Sequence, residues 1–186
     1  PDNRRPVDFA TRRTSLEPER GTDELLTYWK DGRIKQWLIK QTHKIRHKYL
    51  SVFAQGDYQP VVVAGDQADH LVAFVRRDKD IQILVLAPRL GANLLGSTDV
   101  PLIPAAAWGD TRWYLPHGES FILVDGLHTA GLPSNYDNTN TANDNPAEES
   151  GNQLLMREAL AGFPLNVLVF QSSFSGDQHH APTAAF

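Results

Sequence analysis

Apolar positions in the first third of the chain recur every three or four residues. Ile34, Trp37, Leu38, Ile45 and Tyr49 fall on one face, with Lys35, Lys40, Lys44, Arg46 and Lys48 between them. That spacing is the mark of an amphipathic helix. With Asp31 as its N-cap, it predicts a helix of about five turns, ending near Phe53 before Gly56. Two shorter helices are expected ahead of it. One runs from Val7 to about Leu16 and stops at Glu17-Pro18, because the proline ring disfavours helix at the residue before it. The other is capped by Thr22-Asp23 and runs through Trp29.

After Asp57 the pattern changes to short apolar runs broken by turn residues. Pro60 to Ala64 is β-branched, and Leu71 to Val75 and Ile81 to Ala87 are apolar on both faces around the polar turn Arg77-Asp78-Lys79-Asp80. They predict a hairpin inside a sandwich core. Thr111 to Leu115 and Phe121 to Val124 suggest a second pair, joined through Pro116-His117-Gly118-Glu119, and Leu165 to Phe170 a last strand. Leu132 to Gln153 is rich in Asn, Asp and Thr and too poor in bulky apolar side chains to offset its ordering entropy. It reads as a mobile surface insertion, followed by a short helix over Leu154 to Leu160.

The expected fold is therefore α+β. Helices occupy residues 1–56, an antiparallel β-sandwich 57–173 with its insertion at about 132–153, and a flexible tail 174–186. About 50 residues of helix are too few for a core of their own. Their apolar face must pack on the sandwich or on a partner.

Composition narrows the chemistry. The chain has 186 residues, no cysteine and a formal charge of -4. Disulfides, thiolate metal sites and a catalytic thiol are excluded, and a reducing cytoplasm fits. No apolar run approaches the roughly 20 residues that span a bilayer, so no membrane partner is expected. Motifs for a nucleophile elbow, a zinc protease, a dinucleotide fold or a P-loop are missing.

Three clusters offer alternatives. His43 and His47 stand four apart on the long helix, but no acidic residue is placed to complete a metal site. Seven Lys and Arg residues lie between Lys30 and Lys48 against one acid, Asp31. Their aromatic neighbours fall on the apolar face and the chain is acidic overall, which favours a solvated or ion-paired face over nucleic acid. Trp108, Trp113 and Tyr114 suit either a sugar-stacking platform or ordinary strand packing.

The opening PDNRRPVDF (Pro1 to Phe9) has no initiator Met and sets Arg4 and Arg5 beside Pro6. Each guanidinium offers five fixed donors, suited to a carboxylate or to vicinal sugar hydroxyls. Together with DGRIKQWL (Asp31 to Leu38) and FAQGDYQPVVVAGDQADHLVAFVRR (Phe53 to Arg77), this stretch resembles the carboxy-terminal part of the maltooligosyl trehalose synthase family. APRL (Ala87 to Leu90), WGDTRWYLP (Trp108 to Pro116) and FPLNVLVF (Phe163 to Phe170) follow in the same order.

The resemblance implies a piece of a longer α-amylase-superfamily enzyme. The helices to residue 56 would be the end of a (β/α)8 barrel, and the sandwich a domain appended to it. The implied reaction converts the reducing-end α-1,4 link of a maltooligosaccharide into an α,α-1,1 link by intramolecular transglycosylation. It needs an Asp nucleophile and a Glu acid, both on earlier barrel strands, so no catalytic residue is expected in this chain, which alone would be inactive. The implied substrate contact is Arg4, whose partner Asp would precede Pro1. Asp2, Asn3 and Arg5 would shape that loop, and Lys35 sits in a family motif. No cofactor or metal is implied; the partners are the sugar and the rest of the same enzyme. Another α-amylase-superfamily enzyme, or a stand-alone carbohydrate-binding sandwich, would share many of these features.

Overall fold

A computed structural model describes residues 6–16, 21–138 and 153–173. Helices α1 (Phe9–Leu16), α2 (Thr22–Thr27), α3 (Arg33–Lys48) and α4 (Leu50–Gln55) come first. They lead into two antiparallel sheets. The six-stranded sheet has the order β1 (Asp57–Pro60), β3 (Leu71–Asp78), β4 (Ile81–Pro88), β9 (Asn166–Ser172), β6 (Ser120–Gly126) and β7 (Asn135–Asp137). The three-stranded sheet joins β2 (Val63–Ala64), β5 (Arg112–Tyr114) and β8 (Gln153–Leu155). Short helices α5 (Ala92–Leu95) and α6 (Met156–Ala159) sit between strands.

The larger sheet is buried on both faces at its centre, which is why β4 and β9 are nearly continuous apolar runs. Leu84 and Leu86 of β4, with Leu168 and Phe170 of β9, pack against Trp113 and Leu154 of the smaller sheet. The alternate residues Ile83, Val167 and Val169 meet Ile45 of α3 and Val52 of α4 on the opposite face. Helices α3 and α4 thus pack on the outer face of the sandwich through a second apolar cluster.

The long helix departs from expectation in two places. Its N-cap is Gly32, in the left-handed region at φ 83, a conformation glycine adopts without a Cβ penalty. Asp31 acts one residue earlier, its carboxylate accepting the Arg33 amide at 2.8 Å. The helix also breaks at Tyr49, where ψ is 44. That turn lets α4 swing onto the sheet and bury Val52 at 1% exposure. Helix α2 begins after Gly21, without a side-chain cap, and ends at Thr27, short of Trp29.

Four strand expectations change. The Pro60 to Ala64 run is split, with Pro60 ending β1 in one sheet and Val63 starting β2 in the other. Thr111 to Leu115 and Phe121 to Val124 are not a hairpin: β5 pairs with β2 and β8, while β6 pairs with β9 and β7. The polar insertion yields β7, anchored by Tyr136 at 1% exposure, and its end yields β8. Helix α6 then covers only part of Leu154 to Leu160. Residues 139–152 and the tail 174–186 lie outside the described residues.

Candidate functional site

The seam between α3 and the six-stranded sheet is where polar chemistry gathers. Ile45 plugs its centre, and a groove opens on either side. The first is a cavity of about 410 Å³ bordered by Trp37, Gln41, Lys44 and Lys48 of α3 and by Asp125 and Leu127 across from them. The second, of about 290 Å³, lies among Thr42, His43, Arg46, Phe53, Val85 and Val167.

Helix geometry explains the first wall. Positions 37, 41, 44 and 48 recur at four- and three-residue steps and so share one face. Trp37 is held by Phe163, with ring centroids 5.0 Å apart and planes tilted by 45°. The opposite wall depends on a bulge. Leu123 stands across from Phe170 and Asp125 across from Val169, leaving Val124 as an extra residue in β6. Bulges re-aim the side chains that follow them, and here Asp125 turns toward α3.

Asp125 is well satisfied. Its Oδ2 accepts from Lys48 Nζ at 2.8 Å and from the Tyr49 hydroxyl at 3.3 Å, and its Oδ1 from the Gly126 amide at 2.9 Å. Burial alone would push its pKa up, but the bonds from Lys48, Gly126 and Tyr49 outweigh that and hold the carboxyl below its ordinary value. The same bond to Asp125 holds the Lys48 ammonium above its ordinary value. Among the described residues, one carboxylate, that of Asp125, borders the first groove and none borders the second. Retaining glycosyl transfer needs two carboxyls about 5 Å apart, a pair that the described lining of neither groove supplies.

Asp2, Asn3, Arg4 and Arg5 lie outside the described residues. Lys35 is exposed on α3. At about 100° per residue it points nearly opposite to the first groove, so the seam does not gather it. His43 and His47 are exposed, and among the described residues no three His, Asp or Glu side chains converge as metal ligands. No helix among the described residues is long and apolar enough to cross a membrane.

Of the two readings of the aromatic cluster, ordinary packing holds for both tryptophans. Trp108 is 0% and Trp113 4% exposed, both inside the core between the sheets. Tyr114 is exposed, with the Arg112 guanidinium 5.9 Å from its ring centroid. Sequence reasoning missed Asp125 and Gln41. The one local clue to Asp125 was a charge breaking the apolar run Phe121 to Val124 ahead of Gly126.

No family model matches the chain. Over 112 residues, 59% of its length, it is 36% identical to proteins in two strains of Mycobacterium tuberculosis that carry the name maltooligosyl trehalose synthase. The matched part spans 13% of the length of those relatives. A solved variant of the maltooligosyltrehalose synthase from Arthrobacter ramosus matches 92% of this chain at 26% identity, with a TM-score of 0.52, over 18% of its own length. The chain is similar to part of a maltooligosyl trehalose synthase. The likeness to the solved synthase extends over helices and sheets alike, since 92% of the chain cannot be matched by either alone. The two comparisons point to the same enzyme by sequence and by fold.

Proposed function

We propose that this chain is the carboxy-terminal part of a maltooligosyl trehalose synthase. The observation that carries this reading is the agreement of the two likenesses on one enzyme, 36% identity over 59% of the chain and a fold match over 92%. In the whole enzyme, a barrel Asp attacks the anomeric carbon at the reducing-end α-1,4 link while a Glu protonates the departing glucose oxygen. The freed glucose turns within the pocket, and its anomeric hydroxyl attacks the glycosyl-enzyme. That hydroxyl gives its proton back to the Glu and the Asp is released, leaving an α,α-1,1 link. No cofactor enters this scheme, and the enzyme is cytoplasmic.

Both acids are assigned to the remainder of the enzyme, on the strength of the likeness to one part of the synthase. Under this reading residues 1–56 complete the barrel and the sandwich flanks it, with Arg4 at the sugar. The test is product analysis on maltopentaose with an enzyme containing this chain. A non-reducing product of unchanged mass is expected, and no conversion by the 186-residue chain alone. Release of reducing sugar as the main product points instead to a hydrolase of the same superfamily. Conversion by the chain alone overturns the placement of the acids.

A further inference from the structure

We infer that the groove between α3 and β6 is a binding site for one or two glucose units of an α-linked glucan. The ligand class rests on the proposed synthase reading; the groove's chemistry stands on its own geometry.

At about 410 Å³ the cavity is at the small end of ligand-sized pockets. Its polar lining is divided into used and unused groups. Lys48 and Asp125 satisfy each other at 2.8 Å. The Gln41 amide and the Lys44 ammonium make no hydrogen bond or ion pair among the described residues, although both border the cavity. An amide offers two donors and an acceptor, and an ammonium three donors. Beside them Trp37, fixed by Phe163, and Leu127 supply apolar surface. An apolar floor with a few directed donors and acceptors is what a pyranose ring requires, with its C–H face on the floor and its hydroxyls at the edge.

The main competing ligand is a small anion. With Lys48 neutralised by Asp125, a single ammonium is left to attract it, and the carboxylate of Asp125 borders the same cavity. Charge repulsion from that carboxylate disfavours phosphate, whereas hydroxyl groups can both donate to Asp125 and accept from Lys44. The bulge in β6 supports the same assignment, because without the extra residue Val124 the carboxylate would not face α3.

The test follows the Trp37 indole N–H and the Gln41 side-chain amide by heteronuclear NMR in the 186-residue chain. Trp37→Phe assigns the indole signal. Maltopentaose, β-linked cellopentaose and inorganic phosphate are titrated separately. Maltopentaose is expected to move both signals and to saturate in the low-millimolar range, a binding free energy of about -4 kcal/mol. Gln41→Ala and Lys44→Ala should each weaken binding about fivefold, with unchanged melting temperatures because neither side chain has a partner to lose among the described residues. No movement with maltopentaose up to about 20 mM, unchanged affinity in both variants, or movement with phosphate alone overturns the inference. Cellopentaose binding in place of maltopentaose overturns the α-linked assignment. An enzyme that forms the non-reducing product while this groove ignores maltopentaose overturns the inference and leaves the synthase reading intact.

Discussion

The guanidinium of Arg76 hydrogen-bonds the backbone carbonyl of Gly56 at 2.8 Å, tying strand β3 to the end of helix α4. The same side chain also donates to the carbonyls of Val52 at 3.1 Å and Phe53 at 3.2 Å. The Phe53 carbonyl is among the last of the helix, which lack a partner within it, while that of Val52 already accepts the Gly56 amide at 3.0 Å; a cation there also meets the negative end of the helix dipole. Arg76 answers both needs at the point where the helices join the sheet.

Arg76→Met keeps the aliphatic stem and removes every donor. It should lower stability by about 2 kcal/mol, read as a drop in the urea midpoint with an unchanged slope. Arg76→Lys should recover less than half of the loss, since a single ammonium cannot reach three carbonyls in a planar fork. A loss below about 0.5 kcal/mol in the methionine variant would show that the clamp does not hold α4 in place.

Asp125 makes the seam sensitive to acid. Its carboxyl is held below the ordinary value in the folded chain, so it binds a proton less readily folded than unfolded. The resulting stability is fully present above about pH 4, the unfolded value, and drains away as the pH falls through the lower folded value. Asp125→Asn should therefore reduce the urea midpoint at pH 7 and differ less and less from the natural chain as the pH drops toward 2. An equal difference at both ends of that range would mean the ion pair with Lys48 contributes nothing to folding.

Gly162 is needed for the absence of its side chain. A Cβ there would overlap the van der Waals surface of the His128 imidazole ring, which would have to shift. Gly162→Ala should cost about 1–3 kcal/mol by overpacking, measured by thermal melting. Adding His128→Ala should restore part of that loss, because the two sites are in contact and their effects are coupled. Simple additivity of the two substitutions would refute the packing explanation.

The parts of the fold legible in the sequence are those with local causes. The β3–β4 hairpin follows from two apolar runs around a tight turn, in which Lys79 adopts φ 54. Helix α3 follows from its period. The break at Tyr49 does not, because nothing nearby marks it; the Tyr49 hydroxyl instead reaches Asp125, 76 positions away. The exchange of partners by β5 and β6 was hidden for the same reason, since turn residues between two strands show only that the chain reverses. Tyr136 escaped notice as a lone ring in a polar stretch, yet it packs edge-on against Phe170 at 5.4 Å. The groove was half visible. The α3 side could be read from spacing, while the wall opposite rests on one extra residue in a strand paired with a distant one.

The smaller sheet draws its three strands from residues 63–64, 112–114 and 153–155, each only two or three residues long. None can persist without the others, and long loops must close before any of them meet. This layer is therefore expected to assemble late, after the central hairpin has given it a surface to settle on. Until it does, Trp113 and Leu154 stay wet, and that interval is when the chain is most open to sticking to its neighbours.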